Sequence, residues 1–368
     1  MANNPTTYAQ TGVDYSAMDP VKVLAQKAAL STAQNHARFG ATEVGASRGE
    51  SAYVWEEKDA YRALVIEGLG TKNLVADAMR KTTGKTYYDS LAQDTVAMIV
   101  NDLIVVGALP QVVNAYFALG DGAWMNDRKR ATDLVTGWAG ACNAIGAAWG
   151  GGETPALKGI INPDTIDLGG SAVGIINPKE NLVLGDKLAD GDEIILVESS
   201  GIHANGISFV RHLYEKTPQL YETTLSNGKL FGEAILTPTL LYVPLVRDVL
   251  EAGVVPHYMV NVTGHGWRKL MRANAAFTYE IETILEPQPE FLHMQAESRV
   301  DDSEMYGNFN MGVGFVLYVA PQDTDSVLAA AKRNGVKAIR GGKVKRGKKQ
   351  VIIKPKNLTF SAETLEVR

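Results

Sequence analysis

Cysteine is nearly absent from this 368-residue chain, Cys142 being the only one. A single thiol excludes an intrachain disulfide, a multi-cysteine metal site and a redox pair with a resolving partner, and it makes a reducing, cytoplasmic setting the expectation. Long apolar runs are missing too. No window approaches the roughly 18 consecutive apolar residues that cross a bilayer, and the opening MANNPTTYAQ has neither the basic stretch nor the apolar core of a secretory leader. The six histidines show no metal-ligand spacing, and no Ser-His-Asp order stands out. Nor is there an excess of positive charge: 36 Lys and Arg against 41 Asp and Glu give a net −5. Such a balance offers no broad counter-charge to a phosphate backbone. Neither a membrane nor nucleic acid is expected as a partner.

What is present is apolar content of 45%, enough over this length for two domains with cores of their own. Residues 1–60 read as an N-terminal arm, with an amphipathic helix from Pro20 to Phe39 followed by the loop GATEVGASRGES. From Tyr61 the text alternates: a strand (YRALVIEG), a helix after GTK, a helix over Asp89 to Val106, a strand (QVVNAYFALG), and a helix over Asn126 to Trp149. A strand around Ile166 to Ile176 precedes the Gly/Asp-rich run NPKENLVLGDKLADGD, which places a boundary between domains 61–178 and 179–368. The second domain opens with the strand DEIILVES and a helix from about Asn205. A long helix from Thr237 is predicted next, its Thr-Pro start serving as cap and first-turn proline. Strands follow through FNMGVGFVLYVAP, 336–340 and 350–354, the last two flanking KVKRGKKQ as a solvated hairpin. Both halves are mixed α/β.

Four segments carry candidate chemistry. In Glu67-Gly68-Leu69-Gly70-Thr71-Lys72 a strand ends and a helix begins, so glycine backbone, helix N-terminus and lysine could together meet an anion. The spacing is neither a Walker A loop nor a dinucleotide fingerprint, and the same turn also serves with no ligand. On the next helix Asp94 and Asn101 lie seven residues apart, about 700° around the axis, with Asp102 about 80° further round. Among apolar neighbours these carboxylates need a counter-charge or a cation such as Mg²⁺, unless they simply face solvent. Trp149-Gly150-Gly151-Gly152-Glu153 offers a flexible approach and a further acid, with Asp167 beyond it, or merely a turn. In the second half, Ser199 to Gly206 (SSGIHANG) and Thr263-Gly264-His265-Gly266 place small hydroxyls, imidazoles and an amide at helix starts. They suit a second anion, with His203 as donor or proton carrier, or plain helix capping. Glycines, carboxylates, one lysine and amides suit phosphoryl transfer, which depends on positioning and charge neutralisation.

Taken in order, these segments resemble the phosphoribosylformylglycinamidine cyclo-ligase (aminoimidazole ribonucleotide synthetase) family. The likeness runs through YAQTGVD (Tyr8 to Asp14), GLGTK, DTVAMIVNDLIVVGALP, YFALG, GGET with IDLGGSAVG, SSGIHANGISFVR, LTPTLLYV, VTG at 262–264 and EMYGNFNMGVG. It implies two mixed α/β domains, the N-terminal one contributing strands to a β-barrel shared between the subunits of a homodimer. It also implies a small-molecule purine precursor as substrate, with ATP and Mg²⁺ used to phosphorylate an amide oxygen of formylglycinamidine ribonucleotide before a nitrogen of the same molecule closes the imidazole ring. By motif position the resemblance assigns Gly68, Gly70, Thr71, Lys72, Asn101, Gly151 and Gly152 to ATP, and Glu67, Asp94, Asp102 and Glu153 to the metal. Ser200, Gly201, His203, Asn205, Thr263 and Gly264 fall to the substrate, with Lys72, Asp94 and His203 as catalytic groups. The chain departs from the family pattern at Glu67, where Asp is usual, at VGASRGESAYVW in place of a glycine- and phenylalanine-rich lid, at Pro155 to Lys158, and at His265, where the pattern has glycine. Two alternatives follow: a formylglycinamidine ribonucleotide synthetase-like enzyme, and a catalytically silent nucleotide-binding paralogue.

Overall fold

The computed structural model describes residues 15–365, so the YAQTGVD segment lies outside the described residues. Helix α1 (Tyr15–Leu30) contains Pro20 and gives way to a 3-10 turn over Ala33–Phe39, so the predicted arm helix starts earlier and ends sooner than its apolar spacing suggested.

The first sheet has six strands: β1 (Thr42–Glu43), β2 (Tyr53–Glu56), β3 (Tyr61–Gly68), β4 (Leu109–Leu119), β5 (Ala148–Glu153) and β6 (Ile166–Ile176), in the order β1-β2-β3-β6-β4-β5. Period-two alternation in β3 buries Ala63 and Val65 while Leu64 and Ile66 point the other way. Three helices accompany the sheet, α2 (Lys72–Thr83), α3 (Tyr88–Leu103) and α4 (Arg128–Ile145). Helix α3 packs against β3 and β6 and is buried nearly all round, as its apolar sequence requires. Its close approach depends on Gly170 and Gly174 of β6: a Cβ on Gly170 would stand 3.0 Å from Ile99 Cδ1 and one on Gly174 2.8 Å from Leu103 Cδ2. The opposite sheet face is open, exposing Leu64, Ile66, Val112 and Tyr116.

The second sheet has seven strands: β7 (Glu193–Glu198), β8 (Tyr258–Asn261), β9 (Phe277–Ile281), β10 (Val313–Val319), β11 (Ala338–Arg346), β12 (Gln350–Ile353) and β13 (Leu358–Ser361), in the order β13-β12-β9-β11-β7-β10-β8. Strand β10 is buried along its whole length, which accounts for the unbroken apolar run VGFVLYV. Helices α5 (Ile207–Lys216), α6 (Phe231–Ile235), α7 (Val243–Glu251), α8 (Pro289–Ser298), α9 (Asp302–Asn308) and α10 (Thr324–Arg333) complete this half.

Three expectations are corrected here. The helix predicted from Thr237 starts at Val243, with Pro244 in its first turn, and Thr237 to Leu241 carry no helix. The helix predicted over Asn126 to Trp149 stops at Ile145, where Gly146 takes a left-handed φ of 73°, and Ala148 already belongs to β5. The basic run joins β11 to β12 without pairing them: β9 lies between, antiparallel to β11 and parallel to β12. Sequence adjacency suggested a hairpin, and the long-range pairing displaced it.

Candidate active site

Where β3 ends, the GLGT turn leads into α2, with Gly70 at a φ of 73° and Thr71 at the N-cap position. This turn, the end of α3 and the residues after β8 enclose a cavity of about 530 Å³. From the first half it is lined by Glu67, Gly68, Gly70, Thr71, Met98 and Asp102. Asn205, Thr263, Gly264, His265 and Lys269 line it from the second, while Glu50, Ser51, Arg272 and Lys22 of α1 form a further wall.

Burial, reinforced by the Asp102 carboxylate, raises Glu67 to about 7. Asp102 accepts a hydrogen bond from Asn261 Nδ2 at 2.7 Å. The buried Thr71 hydroxyl oxygen has no hydrogen-bond partner. Two carboxylates drawn together, an unsatisfied hydroxyl and the N-terminus of a twelve-residue helix fit a divalent cation held against phosphate oxygens. Among the described residues no group of three or more His, Cys, Asp or Glu side chains gathers around a metal position, so ligand oxygens and water would complete the coordination.

The structure places Lys72 and Asp94 elsewhere. Both have zero side-chain exposure, and Lys72 Nζ lies 2.7 Å from Asp94 Oδ2. The same Nζ donates to the carbonyls of His203 at 2.8 Å and Thr237 at 3.1 Å. Asp94 accepts from the Thr239 amide at 2.8 Å and its hydroxyl at 2.5 Å. Burial pushes each partner toward its neutral form and the opposite charge opposes this. Three acceptors around one Nζ match the three N–H donors of an ammonium, so we read the pair as ionised. Asn101 extends the same contact, donating to Leu240 O at 2.8 Å and accepting from Tyr242 N at 3.0 Å, while Gln93 donates to Thr239 O at 2.9 Å. These side chains occupy one face of α3 and fasten the segment 237–242 to it. That is a joint between the halves, and Lys72, Asp94 and Asn101, expected at phosphate and metal, do not line the cavity.

His203 belongs to this joint as well. Its backbone φ is 62°, its Nε2 accepts from the Ser200 amide at 3.2 Å, and the ring is buried. Burial, with the nearby Lys72 charge, pushes the imidazole from 6.5 down to about 3, which keeps the ring neutral near neutral pH, and His203 does not line the cavity. The unfolded chain gains this proton below about pH 6.5 and the folded chain only near 3. Stability should therefore fall as pH drops through that window. His203→Asn, a residue tolerant of positive φ, should flatten that part of the profile in denaturant titrations at successive pH values. Ser200 Oγ donates to Pro238 O at 2.7 Å, and Gly201, at a φ of 146°, offers its carbonyl to Asn310 Nδ2 at 2.9 Å. Neither joins the cavity wall. Gly151, Gly152 and Glu153 sit on β5 at the edge of the first sheet, with Glu153 exposed and accepting only from the adjacent Thr154 amide.

Of the expected site residues, the structure thus gathers Glu67, Gly68, Gly70, Thr71, Asp102, Asn205, Thr263 and Gly264 around one cavity. It adds Lys269, Arg272, Glu50 and Ser51, which the sequence reading passed over. Lys269 lies in the 3-10 turn Gly266–Met271 and Arg272 follows it as the C-cap, and nothing local in WRKLMR marks either as facing a cavity.

The family model described as AIR synthase related protein, N-terminal domain, matches residues 49–176, and the model of the C-terminal domain matches 189–354. The chain belongs to the AIR synthase family. A phosphoribosylformylglycinamidine cyclo-ligase of Clostridium acetobutylicum is 35% identical over 314 residues, 83% of this chain and 89% of its own length. One of Methanothermobacter thermautotrophicus is 32% identical over 332 residues, 88% and 90% of the two chains. Among solved structures, AaThiL complexed with AMPPCP and TMP superposes with a TM-score of 0.57 at 15% identity, over 84% of this chain and 89% of that one, which shows the fold. Two mixed α/β domains are the AIR synthase architecture, and the cavity described above lies between them.

Proposed function

We propose that this AIR synthase family member is an ATP-dependent cyclo-ligase converting formylglycinamidine ribonucleotide to aminoimidazole ribonucleotide. The observation that carries the reading is the convergence of Glu67, Asp102 and the unpartnered Thr71 hydroxyl on one cavity. It stands in a chain whose relatives, 32–35% identical, bear the cyclo-ligase name. In the reaction a phosphoryl group passes from ATP to the amide oxygen and ADP departs. A nitrogen of the same substrate then attacks the activated carbon, the C–O bond breaks with phosphate leaving, and the nitrogen loses its proton. Holding nucleophile and carbon in one molecule supplies the proximity.

The GLGT backbone and Thr71 hydroxyl would hold phosphate oxygens, and Glu67 with Asp102 would hold Mg²⁺, which neutralises phosphate charge when bound. A bound cation would also favour ionised Glu67 over the protonated form that Asp102 now promotes. Asn205, Thr263 and Gly264, on the facing wall, would orient the ribonucleotide. Purified protein given ATP, Mg²⁺ and formylglycinamidine ribonucleotide should yield aminoimidazole ribonucleotide and phosphate in equal amounts. Nucleotide binding without ring product would overturn the reading in favour of a silent paralogue. Product formation only from an upstream amide substrate with an ammonia source would favour a formylglycinamidine ribonucleotide synthetase-like enzyme.

The open face of the first sheet supports a homodimer as the working unit. Ile66 is 79% exposed there beside Leu64, Val112 and Tyr116, an apolar surface that a second copy would cover. Sedimentation should show a dimer for the natural protein and a monomer for Ile66→Asp. An unchanged assembly in that variant would rule this face out.

A further inference from the structure

Once Lys72 is sealed in the joint, the cavity needs another cation to meet a phosphorylated ligand beside two carboxylates. Three basic side chains reach its wall: Lys22, Lys269 and Arg272. Lys22 stands exposed on α1. Arg272 is committed to the loop before β2, donating to Gly49 O at 2.8 and 3.2 Å and to Ser51 Oγ at 2.9 Å, with Glu50 4.0 Å away. Lys269 is placed differently. It is only 9% exposed, and its Nζ donates to Thr263 Oγ1 and to Asn261 O, the latter at 3.3 Å. Those bonds fix the amine in the cavity wall and use two of an ammonium's three N–H donors.

The geometry points to Lys269 as the phosphate-binding lysine of this site, holding a phosphoryl group against the Thr71 side of the cavity. Two independent features support it. Thr263, which anchors the amine, faces the cavity together with Gly264, so the lysine and the small residues of the turn present donors on one wall. The unsatisfied Thr71 hydroxyl at the N-terminus of α2 lines the same cavity, a second donor suited to the same kind of group. Burial, joined by the Arg272 charge, draws the amine down to about 8 against the pull of Asp102, Glu67 and Glu50, so most of it keeps its charge at neutral pH. A preorganised, partly desolvated ammonium binds phosphate more strongly than an exposed one, because less water must be displaced.

Two phosphate-bearing ligands meet this description, the ATP chain and the phosphate of the ribonucleotide substrate. The inference rests on the cyclo-ligase reading only for the second of them. Calorimetric binding of ATP with Mg²⁺, of adenosine, of formylglycinamidine ribonucleotide and of its dephosphorylated ribonucleoside, to the natural protein and to Lys269→Met, separates them. For one phosphate-bearing ligand the affinity should fall about 10- to 100-fold, while its phosphate-free counterpart binds as before. The ligand that responds identifies which phosphate is held. Unchanged affinity for both phosphate-bearing ligands overturns the assignment. So does an equal loss with adenosine or the ribonucleoside, since a lysine that merely supported the wall would weaken all four. If Lys269→Met does not fold, Lys269→Gln, which retains a donor for Thr263 and Asn261, is read in the same way. A natural protein that binds ATP but closes no ring would fail the cyclo-ligase reading and leave the ATP arm decisive for Lys269.

Discussion

Replacing Lys72 by methionine should lower the folding stability by about 3–5 kcal/mol, the usual effect of removing one partner from a buried ion pair. The variant would strand the Asp94 carboxylate at zero exposure and remove the donor shared by the His203 and Thr237 carbonyls. Urea unfolding of purified protein is the measurement. The double replacement Lys72→Met with Asp94→Asn should recover part of the loss, because a neutral amide can still accept from Thr239 without leaving a buried charge. A Lys72→Met protein of unchanged stability whose ATP affinity alone collapses would sink this account and return Lys72 to the phosphates.

The second large effect belongs to Asp102. Asp102→Asn keeps an oxygen for the Asn261 amide, which now donates at 2.7 Å, and removes only the charge facing Glu67. Ring closure in the product assay should drop about 10²- to 10³-fold, the range for losing one electrostatic element at a reacting centre. Thermal stability should hold or rise, since the like-charge repulsion with Glu67 disappears. Activity within threefold of the natural protein would take the metal away from this pair. The contrast is diagnostic: the Lys72 variant should change folding and the Asp102 variant chemistry, although the two sit at opposite ends of neighbouring helices.

Sequence periodicity placed Asp94 and Asn101 on one face of α3, and the structure agrees with that geometry. What the face meets was not legible. Its partner is the 237–242 segment, whose Thr-Pro start imitates a helix cap while its backbone serves as the other half of a joint. Glu67, Gly70 and Thr71 were legible because a strand-to-helix turn fixes their direction locally. Lys269 was not, since a lone lysine in WRKLMR carries no local sign of what it faces, and its anchors on Thr263 and Asn261 exist only once the turn has folded back. Glu153, an acid after three glycines, stands exposed at the end of the edge strand and away from the cavity, a position that the glycine run alone does not reveal.

The joint along α3 also bears on how divisible the molecule is. Each half has its own sheet, and the polypeptide between them looks like a natural place to cut. Yet Gln93, Asp94 and Asn101 find their partners 146, 145 and 141 residues downstream. During synthesis that helix face waits, polar and unsatisfied, until the second half has emerged to receive it. A gene split between the sheets would produce an N-terminal piece holding a charged pair with nothing to cover it, so co-expression of both pieces, rather than either alone, is the form in which the halves should be soluble.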